Sequence, residues 1–236
     1  MSPFLSSLIE AASSPYQAGG LIAWRFTKGK LQGDPVFPLL LRRGLIPSQA
    51  RLLDLGCGKA LLASWMFEAR HRFEKGQWPP DWPEAPSLAS YRGIEWSPSD
   101  VRLAQQALQN RAEILQGDIR ATEFGPAEVV VILDVLHYMD FAAQDEVLAR
   151  VYDTLPPGGV LLLRVGNASG GLQFKVSTWV DQVIHFFRNL RVTRLYCRAT
   201  EAWRTRLTEI GFSVEEVPLS QGATFSNVFF RARREH

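Results

Sequence analysis

Cysteine is scarce. Cys57 and Cys197 are the only two in 236 residues, far apart and outside any CxxC pair or metal-ligand spacing. That argues against a structural zinc site, leaves no metal to be expected, and favours a reducing, cytoplasmic setting. Charge of one sign is lacking as well. The 26 Lys and Arg stand against 24 Asp and Glu, and a formal net charge of +2 gives no whole-chain field to gather nucleic acid. The basic end, Arg231, Arg233 and Arg234, then reads as a solvated terminus. No stretch approaches the run of about 20 apolar residues that crosses a bilayer. The opening "MSPFLSSLIEAASSPYQAGG" has neither a basic n-region nor a long apolar core, so it does not read as a signal peptide. Repeats and low-complexity tracts are missing too. What remains is an ordinary globular composition, 46% apolar and 21% charged, at a length that suits one domain with a small lid.

The periodic segments alternate in type. "RLLDL" (Arg51 to Leu55) is a short apolar strand, and "LLASWMFEARHRF" (Leu61 to Phe73) has apolar residues at helical spacing. "YRGIEW" (Tyr91 to Trp96) is a second strand. A helix follows over Pro98 to Ala112, with Ser97 as cap, Pro98 in the first turn and Asp100 at the positive end. "EILQGD" (Glu113 to Asp118) is a third strand. Val129 to Leu133 is a continuous β-branched run suited to a central parallel strand covered on both faces. Asp140 caps the helix "FAAQDEVLARVYDTL", "PPGG" stops it, and "VLLLRVG" (Val160 to Gly166) is the fifth strand. "EAWRTRLTEIG" is a last helix, and "FSVEEVPL" and "SNVFFRARR" are two final strands joined by a link short enough to make one of them antiparallel. The fold class is therefore α/β: a doubly wound, mostly parallel seven-stranded sheet with a C-terminal antiparallel hairpin and helices on both faces. Residues 1–49 form an N-terminal helical lid segment, and 50–236 form the binding domain. The proline- and tryptophan-rich stretch 71–90 is an irregular insertion at the N-terminal side of the second strand, away from the expected pocket, and reads as a brace.

The chemistry gathers at strand ends. In "LLDLGCGKALLASWM" a strand carries Asp54, breaks into Gly56 and Gly58 and turns directly into a helix. Ligands of open α/β sheets bind beyond the carboxyl ends of the strands, where glycines let backbone approach them. A bare strand-to-helix turn has the same two glycines, so the corner alone is weak. Glu95 ends the second strand, where an acid accepts hydrogen bonds from ribose hydroxyls. Asp118 ends the third, placed to meet an adenine amino group, and Asp134 ends the fourth, followed by "VLHYM". Four acids along one sheet edge are rare by chance, because buried carboxylates need partners.

In order, "LLDLGCG", "GIEWSP", "QGDIRATEF", "VVILDVLHYM" and "LPPGGVLLLRVG" resemble the motifs of class I S-adenosylmethionine-dependent methyltransferases, over most of residues 50–233. The resemblance implies that Asp54, Gly56, Cys57 and Gly58 wrap the amino-acid end of S-adenosylmethionine. It further implies that Glu95 and Trp96 hold ribose, that Asp118 and Ile119 meet adenine, and that Asp134, Val135 and the residues to His137 face the methyl group and acceptor. The chain is also similar to the methyltransferases that accompany bacterial aryl-polyene or fatty-acyl-type biosynthesis. This implies a small-molecule acceptor, aromatic or carrier-tethered acyl, methylated on oxygen or carbon.

Two departures stand out. The third loop position is Ala60 where glycine is commoner; an acid-lined pocket for a cationic donor without phosphate tolerates it. The insertion separates Gly58 from Glu95 by more than the usual spacing of about 20 residues. Lys59 is expected to point to water rather than to reach the cofactor carboxylate. His137 is the candidate base, since its ordinary pKa lies near neutrality; packing against adenosine or acceptor is the other reading. Tyr138 shapes the pocket or packs in the core. Tyr16, Trp24 and Phe26 form an aromatic lid or pack as ordinary helix faces. The stretch "NASGGLQFKVSTWVDQVIHFF" is the expected acceptor cap, with His185 and the aromatics around it expected to pack against the sheet rather than touch the acceptor. A nicotinamide-dependent oxidoreductase and a non-catalytic binding module are the competing classes.

Overall fold

The computed structural model describes residues 1–166, 195–219 and 227–235. Seven strands form one sheet in the order β3-β2-β1-β4-β5-β7-β6. They are β1 (Arg51–Leu55), β2 (Ser90–Glu95), β3 (Glu113–Gln116), β4 (Val129–Leu133), β5 (Val160–Gly166), β6 (Phe212–Glu216) and β7 (Asn227–Arg234). The first five run parallel, and β7 is antiparallel to both β5 and β6. The closing pair expected from the sequence is therefore present, with β7 the reversed strand.

Strand alternation sorts the core into two layers. Leu52, Val129, Val131, Val160 and Leu162 face one cluster, shared with α1 (Pro3–Ser13), α3 (Val36–Arg42), α4 (Leu61–Glu74) and α5 (Pro98–Leu108). Leu53, Val130, Ile132, Leu161 and Leu163 face the other, shared with α6 (Phe141–Thr154) and α7 (Thr200–Ile210). A period of two with both faces apolar is what a sheet covered on both sides requires. The N-terminal helices α1, α2 (Leu21–Gly33) and α3 pack into the first layer, with Leu8, Tyr16 and Val36 fully buried.

Local chemistry sets the helix ends. Ser97 Oγ accepts the Asp100 N–H at 3.3 Å, and Asp140 Oδ1 accepts that of Ala143 at 2.9 Å. Several expected elements are shorter, β6 among them, which stops at Glu216 rather than Leu219. α5 stops at Leu108, because Gln109 turns to φ +53° and opens a single 3-10 turn. β3 stops at Gln116, so Asp118 lies in the loop beyond it. The 71–90 insertion stacks Trp78 and Trp82 edge-on against Phe4 of α1, at centroid distances of 5.5 and 5.4 Å. The expected acceptor cap after β5, including His185, and the polar link from Ser220 to Ser226 lie outside the described residues.

Candidate functional site

Parallel pairing brings the ends of β1, β2 and β4 side by side, and the loops beyond them form the candidate site. The Gly56 and Cys57 N–H groups both donate to the Ile94 carbonyl, at 2.8 and 3.2 Å. Gly56 (φ +73°) and Gly58 (φ +55°) occupy the left-handed region, each for its own reason. A Cβ on Gly56 would stand 2.4 Å from Val135 Cγ2, so Val135 packs directly on the loop. A Cβ on Gly58 would meet no atom within 4 Å, so the space above that backbone is open. The Gly58 N–H donates to Glu95 Oε2 at 2.8 Å, and Glu95 Oε1 accepts the Ser97 N–H at 2.8 Å. Glu95 is thus aimed at the loop by two backbone donors, each oxygen keeping a lone pair. Burial pushes its carboxyl above the usual range, and the two N–H bonds oppose that.

Asp54 is buried beneath the loop, and its Oδ2 accepts a hydrogen bond from the Tyr91 hydroxyl. Burial pushes its carboxyl up to about 7, with the Tyr91 bond working against this and the Glu95 charge adding to it. Cys57 points inward: a Cβ on Gly93 would lie 2.6 Å from its sulfur. Its contribution to the loop is therefore backbone. Burial also raises its thiol.

Ala60 is fully buried at φ +53°, an uncommon conformation for alanine, and it opens α4. The Tyr16 hydroxyl donates to the Lys59 and Ala60 carbonyls at 2.8 and 3.2 Å. With its ring fully buried, Tyr16 supports the loop from within rather than lining its mouth. Lys59 does not extend freely into water as expected. Its ammonium sits 3.0 Å from Asp100 Oδ1 and 4.4 Å from the Phe26 ring centroid. Asp100, placed to favour the α5 dipole, offers it a nearer charge. Trp24 is half-buried with Lys28 over its ring at 5.1 Å, and Trp96 is 45% exposed at the end of β2.

Beyond β3 the expected adenine contact differs in detail. The Asp118 carboxylate is gripped by Arg120 through its backbone N–H at 2.9 Å and its guanidinium Nε at 2.9 and 3.0 Å. Arg120 holds that carboxyl below the usual range. The Ile119 side chain is buried in the second core layer, and its carbonyl accepts Arg150 at 2.7 Å. Beyond β4, Asp134 lies at φ +60°, with its carboxylate paired to Arg164 of β5. His137 and Tyr138 follow in a 3-10 turn, ring centroids 4.2 Å apart. Burial lowers the His137 pKa and the Asp134 charge opposes the fall, so the imidazole is neutral near pH 7. Burial raises the Tyr138 phenol. Among the described residues, no group of three or more His, Cys, Asp and Glu could hold a metal ion.

Tyr91, Arg164 and Asp34 are the side chains that sequence reading missed. Arg164 carried a signal, being the one charge within "VLLLRVG", a strand covered on both faces, where a cation demands buried partners.

The strand order, the glycine corner and the acids around it define the class: a Rossmann-like nucleoside-binding α/β domain of methyltransferase topology. A methyltransferase domain family model matches residues 24–217, and the chain belongs to that family. It is 29% identical over 119 residues to a carboxy-S-adenosyl-L-methionine synthase of Chromohalobacter salexigens, covering 48% of this chain and 39% of that protein. The chain thus spans less than half the length of this curated relative. Two solved structures share the fold. One is an O-methyltransferase family protein of Burkholderia thailandensis, with TM-score 0.61, 19% identity and coverage of 92% of this chain and 61% of that one. The other is the magnesium protoporphyrin IX methyltransferase of Synechocystis with bound SAH, with TM-score 0.58, 20% identity and coverage of 89% and 87%.

Proposed function

We propose that this chain transfers a methyl group from S-adenosylmethionine to a small-molecule acceptor, aromatic or acyl-type and free or carrier-tethered, on oxygen or carbon. The observation that carries the reading is the Gly58–Glu95 pair: an open backbone face beside a half-buried carboxylate whose remaining lone pairs suit vicinal hydroxyls. Asp54 beneath the loop and Glu95 beside it are the acids that suit a cationic donor and oppose a pyrophosphate, while the Asp118 to Ile119 and Asp134 to Val135 segments, their carboxylates paired with Arg120 and Arg164, border the cradle. S-adenosylmethionine supplies a methyl group already activated on a sulfonium, so the protein's share is alignment and exclusion of water. His137, neutral near pH 7, is the side chain in the acceptor-facing turn able to take a proton from a hydroxyl or acidified carbon.

Titration calorimetry tests the reading. S-adenosylhomocysteine should bind with micromolar affinity and NAD should give no heat; the reverse result replaces it with a nicotinamide enzyme. Binding without turnover on a broad panel of phenols, acids and acyl thioesters would mark a non-catalytic module. The name of the curated relative motivates a second reading, in which the donor itself is the molecule modified. Mass spectrometry separates the two: a new mass on the acceptor supports methyl transfer, and a new mass on the donor supports the second reading.

A further inference from the structure

The candidate site is joined to the N-terminal helices by a buried cation. Arg164 lies in β5 opposite Leu133, the last residue of β4, and its side chain is 4% exposed. Its guanidinium makes two forks. Toward the sheet edge, Nε donates to Asp134 Oδ1 at 2.9 Å, and a terminal nitrogen donates to Oδ2. Toward the α2–α3 junction, the terminal nitrogens donate to both oxygens of Asp34, one at 2.7 Å. Asp34 is anchored in turn. Its Oδ1 accepts the Val36 N–H at 3.0 Å, and Lys30 sits 2.7 Å from its Oδ2. Two cations and two carboxylates therefore balance, with Arg164 and Asp34 buried and Lys30 partly exposed. The Asp134 N–H also donates to the Arg164 carbonyl at 3.0 Å. Asp134 is thus held by backbone and side chain at once while it turns through φ +60°. The next residue, Val135, packs on Gly56, and the turn continues to His137.

We propose that Arg164 is a positioning residue: shared by Asp34 and Asp134, it sets the turn from Asp134 to His137 against the glycine loop, and so couples the N-terminal helices to the binding site. The inference rests on the methyltransferase reading for what the turn faces, but the coupling belongs to the chain alone. Two planar forks are a task for arginine, because a lysine ammonium carries the charge without the geometry.

The experiment compares the wild-type chain with Arg164→Lys and Asp34→Asn. In the ligand-free protein, 13C-methyl spectra of labelled valines report Val135, assigned through Val135→Ile, with Val130 of the β4 interior as the internal reference. Both variants should shift or broaden the Val135 signals while leaving Val130 in place. Calorimetry well below each variant's melting temperature should show the S-adenosylhomocysteine dissociation constant raised about tenfold. The double variant should lose no more than the worse single variant, since both act through Asp134. A merely structural staple would lower melting temperature without moving Val135 or affinity. Unmoved Val135 signals, or unchanged affinity, in both variants overturns the positioning role alone. If Asp34→Asn does not fold, Arg164→Lys decides. A wild-type chain that binds no S-adenosylhomocysteine overturns the functional reading, and this inference with it.

Discussion

The hydroxyl of Tyr16 donates to the carbonyl oxygen of Lys59 at 2.8 Å, joining positions 43 residues apart. Its second acceptor, the Ala60 carbonyl, closes the same corner at 3.2 Å. Tyr16→Phe keeps the ring and removes only these bonds. It should cost about 1–2 kcal/mol in urea unfolding, because buried carbonyls lose a donor. Calorimetry should also show weaker S-adenosylhomocysteine binding, since the loop loses its inner support. A variant equal to wild type in both measurements would separate Tyr16 from the loop.

Glu95 makes its acid-for-amide test unusually strict. Both carboxylate oxygens accept backbone N–H groups, from Gly58 and Ser97. Glu95→Gln must turn an NH2 toward one of them, so the nominally conservative change opposes the loop as well as losing an acceptor. Cofactor affinity should fall by about 1–3 kcal/mol in calorimetry, and an unchanged dissociation constant removes Glu95 from the binding set.

Asp54 predicts a pH signature. Burial pushes its carboxyl from the ordinary 3.8 to about 7. The folded state therefore holds this proton more tightly than the unfolded chain. Its stabilising contribution is complete below pH 3.8 and fades as pH climbs to about 7. Asp34, Asp118 and Glu128, held below the carboxylate range, contribute in the opposite sense. Denaturation of wild type and Asp54→Asn between pH 4.5 and 8 isolates the group: the stability of the variant relative to wild type should rise with pH. A constant difference would place the Asp54 proton elsewhere.

Ala60 tests how much strain the loop tolerates. Left-handed alanine costs roughly 1–2 kcal/mol that glycine does not pay. Glycine in turn gives up a buried methyl and gains unfolded-state freedom, worth together a similar amount. Ala60→Gly should thus stay within about 1 kcal/mol of wild type, whereas β-branched Ala60→Val should lose more than about 2 kcal/mol. Thermal melts of the pair check the ordering.

The parallel sheet, its two covered faces and the antiparallel closing pair were legible from period-two runs, glycine stops and the short last link, though not which of the two last strands is reversed. So was the gathering of Asp54, Glu95 and Asp134 along one edge, because parallel strands of alternating βα order end on the same side. What was not legible is how each acid is satisfied. Asp54 takes Tyr91, Asp118 takes Arg120, Asp134 takes Arg164, and Lys59 turns to Asp100. Apart from Arg120, two residues beyond its partner, such choices depend on side-chain reach between elements separated in sequence, which periodicity does not encode. Tyr16 shows the same limit: its aromatic character was visible, but the direction of its hydroxyl depends on where α1 docks against α4.

The reversed strand β7 lies between β5 and β6, so the sheet's last-made strand is an interior one. During synthesis β6 emerges with no neighbour, and β5 waits with one open flank, until Asn227–Arg234 has left the ribosome. Completion of the sheet is thereby deferred until that strand has emerged, and a nascent chain halted shortly before it would carry two adhesive edges instead of one finished sheet.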